Sequence, residues 1–168
     1  MGLPFAEDIK HYWQTSQTSP DSWMKKTKDL IEKMGGIVLA DAYGNDLVTG
    51  KAAFMLTFEI EGDNFKILWP VLPSRGKNDH AARIQAVTLL HHDVKAKCMK
   101  AAVFGARAAF FSYWMLPDGR TAVEASVPEL AKGVPAMLRN KNYDAAPQLE
   151  EGDVIDGAVR ENEPEVMG

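Results

Sequence analysis

Lys97, Lys100, Phe104, Arg107 and Phe111 follow one another at spacings of three, four, three and four residues. That interval places side chains on one face of an α-helix. Arg83 lies fourteen residues before Lys97, nearly four whole turns, and so falls close to the same line. Lys95 flanks the stripe, with His91 one turn earlier. Cations in such a row neutralise phosphates and release counterions, while aromatic rings between them offer stacking platforms, the combination used on single-stranded nucleic acid. Arg75 and Lys77 stand in the loop that must lead into this helix, and a helix N-terminus favours a phosphate. The competing reading is an amphipathic helix whose lysines only face solvent, with Phe104 and Phe111 in the core.

Other chemistries find less support. His91-His92-Asp93 suggests a metal, but neighbours on a helix point about 100° apart and do not converge as i, i+4 ligands would. Cys98 is the only cysteine, which excludes an internal disulfide and a multi-thiolate zinc site and reads as a small buried thiol. There is no HExxH, no GxSxG and no glycine-rich phosphate loop, so the chain is read as non-enzymatic, without metal or cofactor. Gly44-Asn45-Asp46 and Gly62-Asp63-Asn64 lack the ligand repeat of a calcium loop and read as turns. Of the four tryptophans, three are expected in the core, Trp69 being the least certain.

These residues need a scaffold, and the pattern predicts an α+β fold. Residues 1–18 read as an irregular opening that ends in a linker. Ser19-Pro20-Asp21 is a helix start with a hydroxyl cap and proline at the first position. Trp23, Met24, Thr27, Leu30, Ile31 and Met34 carry the apolar face up to Gly35-Gly36. Ile37 to Tyr43 reads as a strand, and Ala53–Ile60 with Phe65–Leu72 as a hairpin turning at Gly62-Asp63-Asn64, Pro70 placing the last strand's end or an edge. A long helix is expected from about His80 to Phe104, with Ile84, Val87, Leu90, Val94, Cys98, Ala101 and Ala102 inward. Gly105 marks a kink or a packing contact, a second apolar stretch runs from Ala108 to Leu116, Thr121 to Ala125 is a possible short strand, and Val127 to Leu138 a weak helix. The architecture is thus an N-terminal helix, a three-stranded antiparallel sheet in β-β-β-α order packed on the long helix, and short C-terminal elements.

Charge divides the chain. From Glu150 onward there are seven acidic residues and one basic, whereas residues 1–149 carry 18 basic and 16 acidic side chains, so a net −4 conceals a slightly basic body. The domain is expected to span 19–147, and 148–168 to be an acidic, disordered tail, since it lacks aromatics and cannot offset its ordering entropy. No apolar run is long enough to cross a bilayer and the first residues lack a secretion signal, so a cytoplasmic protein without membrane contact is expected.

The element order, with Glu61-Gly62-Asp63 in the hairpin, Trp69-Pro70-Val71 after it and Lys97-Cys98-Met99-Lys100-Ala101-Ala102-Val103-Phe104-Gly105 in the helix, resembles the Sak/Erf-type phage single-strand annealing proteins, relatives of the Rad-fifty-two recombination mediator. The likeness covers about residues 20 to 120. It implies a β-β-β-α core that assembles into a ring or filament, a basic groove for single-stranded DNA, and ATP-independent annealing with no cofactor. By position, the implied DNA-binding cations are Arg75, Lys77, Arg83, Lys97, Lys100 and Arg107; the helix reading adds Lys95 and Phe104.

The leading expectation is therefore a homo-oligomeric, phage- or prophage-encoded protein that binds and anneals single-stranded DNA in recombination and repair. Its acidic tail offers a contact for a host or phage replication or recombination protein. The alternative is a non-enzymatic interaction module, such as a phage factor that binds a host protein through its sheet edge or tail; a metal enzyme built on the histidine pair ranks last.

Overall fold

The computed structural model describes residues 2–47 and 49–126. The helix expected at Val127 to Leu138, the domain end at 147 and the acidic tail lie outside the described residues. The element order is α1 (Ala6–Ile9), α2 (Pro20–Lys33), β1 (Ile37–Asn45), β2 (Ala52–Ile60), β3 (Asp63–Pro70), α3 (Asp79–Phe104), α4 (Ala106–Ala109) and a 3-10 turn, Phe111–Tyr113. The α+β class, the three antiparallel strands and the long helix all match the sequence reading.

Local chemistry sets the boundaries. Ser19 Oγ accepts the Ser22 amide at 3.2 Å and Pro20 opens α2. At the other end Gly35 takes φ 81°, and Gly36 must be small. A Cβ there would lie 2.7 Å from Ile31 Cγ2 and 2.9 Å from Ile60 Cγ1, so this glycine lets the chain pass between α2 and β2. Glu61 and Gly62, both at positive φ, make the tight hairpin turn between β2 and β3.

The sheet has strand order β1-β2-β3. One face carries Phe54, Leu56, Phe58 and Ile60 of β2 and Phe65 and Ile67 of β3, all buried against α2 and α3. Phe58, Phe65 and Phe110 form a triad with centroids 5.3 to 5.6 Å apart. The other face presents Met55, Lys66 and Leu68, and no described element packs over it. A bulge interrupts β1 between Val38 and Ala40. Leu39 is the bulged residue, and it and Ile37 are 55% and 59% exposed on the free edge.

Three expectations change. The N-terminal residues, read as irregular and as linker, are docked: the Ala6 amide donates to Pro73 O at 2.9 Å, and Gln85 Nε2 donates to the carbonyls of Ala6 and His11, both at 3.0 Å. The stretch after Gly105 does not continue the long helix. Gly105 takes φ 83° and ψ 159°, which ends the α3 hydrogen-bond ladder, and Trp114 comes back to bridge Phe65 of β3. Thr121 to Ala125 is not a strand: Thr121 makes one bridge to Met115 and then starts a helical turn. Its amide donates to Glu124 Oε2 at 2.7 Å while its hydroxyl accepts the Glu124 amide at 3.4 Å. That is the reciprocal cap encoded by Thr-x-x-Glu. The order of Thr121-Ala122-Val123-Glu124 carried this signal.

Candidate nucleic-acid interface

α3 carries four of the candidate cations, Arg83, Lys95, Lys97 and Lys100, and its two halves differ. From Ala81 to His91 it is enclosed by the sheet, α2 and the N-terminal segment, with Ala81, Ala82, Ile84 to Thr88, Leu90 and His91 all buried. Beyond His92 only Val94, Cys98 and Ala101 are buried. Ala102, expected inward, is exposed, because by then the sheet covers only one side of the helix. The rise of an α-helix separates Arg83 from Lys100 by about 26 Å, so the candidates fall into two groups.

In the first group Arg75, Lys77 and Arg83 lie at the N-terminal end. Arg75 Nη2 pairs with Asp8 at 2.8 Å and its guanidinium covers the Phe5 ring. Lys77 is exposed, at φ 55°, with no ion-pair partner among the described residues. Arg83 stacks 4.2 Å over Tyr43 of β1, and its Nε is enclosed without an acceptor. It lies at the edge of the core, turned toward β1.

The second group surrounds the C-terminal end of α3. Lys97 pairs with Asp93 one turn earlier, the two side chains 21% and 24% exposed, and sits over the Tyr113 ring. Tyr113 Oη donates to the other Asp93 oxygen at 2.9 Å. Lys97 is thus half-buried in a structural network. Lys100 is exposed and without an ion-pair partner among the described residues. Phe104 is 67% exposed and Phe111 55% exposed, against the reading that would have put them in the core. Lys95 is exposed too, but it points about 160° away from Lys97 around the helix axis, so it does not flank the stripe.

Arg107 is not on α3 at all. The break at Gly105 turns it toward the hairpin, where Nε and Nη2 each reach an Asp63 oxygen at 2.8 Å and the guanidinium lies 4.7 Å over Trp114. Glu61 meets the Ala106 amide at 3.4 Å, so the hairpin tip clasps the start of α4. The five-residue stripe of the sequence is therefore divided among α3, α4 and the 3-10 turn. Lys100, Phe104 and Lys97 come from one helix, Arg107 and Phe111 from the segment that folds back.

No family model, no curated protein and no solved structure matches this chain. The site therefore rests on its own geometry.

The acids were what sequence reasoning missed. Asp8, Asp63 and Asp93 neutralise Arg75, Arg107 and Lys97. Only Asp93 could have been found, four residues before Lys97; the others are 67 and 44 residues from their partners. The hydrogen bond from Arg107 holds the Asp63 carboxyl below its usual range, against a desolvation that would raise it, with the guanidinium charge and a bond from Trp114 helping. Burial, then the charge of Asp93 and its hydrogen bond, raises the Tyr113 phenol far above the ordinary value.

Trp23, Trp69 and Trp114 pack against the core, and Trp13 is the one left out. His91 is buried beside Thr27, whose Oγ1 lies 3.2 Å from Nδ1, and between the rings of Trp23 and His92. Burial first, then the charges of His92, Lys95 and Lys26, keeps its pKa low. Among the described residues no group of three or more His, Cys, Asp or Glu side chains could hold a metal. Burial pushes the Cys98 thiol up to about 11, so at neutral pH it is a thiol, not a nucleophile. Among the described residues no helix is long and apolar enough to cross a membrane.

Proposed function

We propose that this chain binds single-stranded DNA and, as a homo-oligomer, anneals complementary strands without a cofactor. One observation carries the reading: large aromatic rings stand exposed near cations at the end of α3, Phe104 one turn from Lys100 on the helix and Phe111 against Trp114, which Arg107 covers. A row of cations alone would suit any anion. Large rings left in solvent between them suit unstacked bases, since every base offers a π-face and a single strand exposes it. A phosphate contact made by Lys100 would leave base edges free for a second strand.

Fluorescence anisotropy with labelled oligo(dT) tests this, with Lys100→Ala/Phe104→Ala as the variant. Both side chains are exposed, so the fold stays intact. Affinity at low salt is expected to fall about tenfold, and the slope of log K against log salt by about 0.7, the share of one phosphate on a single strand. A folded variant with unchanged affinity and slope would show that DNA, if bound, lies elsewhere.

Assembly is supported by β1, whose edge runs nine residues with apolar side chains in solvent. Natural edges of this kind are normally covered or charged. Light scattering is expected to read several copies of the 18.5 kDa chain. A monomer at every concentration, with and without oligo(dT), removes the annealing reading. If that monomer also binds no DNA, the β1 edge is left to a different protein, which is the interaction-module alternative.

A further inference from the structure

The loop Ser74-Arg75-Gly76-Lys77 already holds anions, and they belong to the chain itself. Ser74 Oγ donates to Glu7 Oε1 at 2.8 Å, and the Gly76 amide reaches the same oxygen at 3.3 Å. Arg75 Nη2 donates to Asp8 Oδ2 at 2.8 Å. A hydroxyl and a backbone amide meet one carboxylate, a guanidinium meets the next, and Lys77 follows immediately in the loop. This is the donor set that cradles a phosphate. The loop is shaped independently of its occupant: Ser74 Oγ accepts the Asn78 amide at 3.1 Å, Lys77 N donates to Ser74 O at 3.2 Å, and Asn78 caps α3.

We propose that Glu7 and Asp8 stand in for nucleic-acid phosphate, so that this loop is a second phosphate site, masked by the N-terminal segment until a strand displaces the two carboxylates. The proposal rests on the DNA-binding reading and names a regulation of it.

Three features support masking over an ordinary surface ion pair. The carboxylates are presented by a strap that is fixed on both sides of them, through Ala6 to Pro73, through Gln85 to the carbonyls of Ala6 and His11, and through the Tyr12 ring stacked on His92 at 5.0 Å. The strap holds Lys10, Tyr12 and Gln14 at φ 63°, 58° and 57°, conformations that persist only where surrounding contacts over-determine them. The contact to be broken is also accessible: the Arg75 and Asp8 side chains are 56% and 46% exposed, so a phosphate can approach the guanidinium while the strap stays anchored. Glu7 is held low in pKa; desolvation opposes this, and hydrogen bonds from its own backbone, Ser74, Gly76 and Arg75 outweigh it. It is therefore an anion at neutral pH.

The test uses the full chain and the variant Glu7→Gln/Asp8→Asn, with oligo(dT) followed by anisotropy and inorganic pyrophosphate by calorimetry. The variant is expected to bind both probes more tightly at low salt, oligo(dT) by about tenfold, as one or two contacts are unmasked. The gain should shrink as salt rises and disappear when Arg75→Ala/Lys77→Ala is added. Asp8→Asn alone, which leaves the Glu7 contacts in place, guards against a folding defect and should give about threefold. No gain in either variant, or a gain that survives loss of Arg75 and Lys77, overturns the proposal. If oligo(dT) binds neither the parent nor the variant, the DNA reading fails, and pyrophosphate then decides masking alone: tighter binding by the variant supports it, and equal or absent binding rejects it.

Discussion

Phe110→Ala is expected to cost about 3 to 5 kcal/mol of folding stability, the range for removing a fully buried phenylalanine. Phe110 is 0% exposed and meets Phe58 edge-on and Phe65 at a tilt. It is the residue through which the segment after Gly105 enters the core. Its backbone also carries structure, because the Phe110 amide closes α4 on Ala106 O and its carbonyl accepts the Tyr113 amide. The cavity left by alanine would therefore loosen the turn that brings Trp114 and Arg107 to the hairpin. Chemical denaturation read by circular dichroism gives the stability, and fluorescence of a variant that keeps Trp114 as its one tryptophan reports the fold-back separately. A loss below about 1 kcal/mol would mean that the fold-back is not packed as described.

Asp93→Ala is expected to cost about 2 kcal/mol, because it strands two partners at once. Lys97 would keep a half-buried ammonium without its anion, and the Tyr113 hydroxyl would lose its acceptor. A double-mutant cycle with Tyr113→Phe separates the two, since the tyrosine share disappears in the cycle and the lysine share remains. Additivity of the two changes would show that the hydrogen bond contributes nothing. The same network explains why Lys97→Ala is a poor test of DNA binding: its effect on stability would be read as an effect on the site. Lys100, with no such partner, is the cleaner probe.

The parts of this fold set by local chemistry were legible in the sequence. Ser19-Pro20 started α2, Gly35-Gly36 ended it, the hairpin turned at Gly62, and Asn78 capped the long helix. What stayed hidden depended on distant contacts. Helical spacing put Arg107 and Phe111 in line with Lys97 and Lys100, but periodicity presumes an unbroken helix, and whether Gly105 bends or breaks one depends on what its neighbours gain. Here Glu61 and Asp63, more than forty residues earlier, receive Ala106 and Arg107. The N-terminal residues looked like a linker because their anchors are a glutamine side chain and backbone carbonyls, which leave no hydrophobic period to read. Charge counting failed for a related reason: it cannot tell a free cation from one already held by an acid far along the chain.

The two borders of the sheet have different consequences for symmetry. At β3 the ladder is obstructed at its start, where Trp114 bridges Phe65, and at its end, where Pro70 has no amide to give. At β1 no described segment bridges the outer border of its nine residues, which only the bulge at Leu39 interrupts. A second molecule that extends the sheet can therefore do so only through its own β1, and two like borders that meet form a two-fold pair whose outer borders are both β3. Growth by strand pairing ends at two copies. A ring or filament must instead seat β1 of one copy on a surface of another kind, so its geometry would be set by side-chain packing, and a single bulky charge at Leu39 would be enough to tell the two modes of assembly apart.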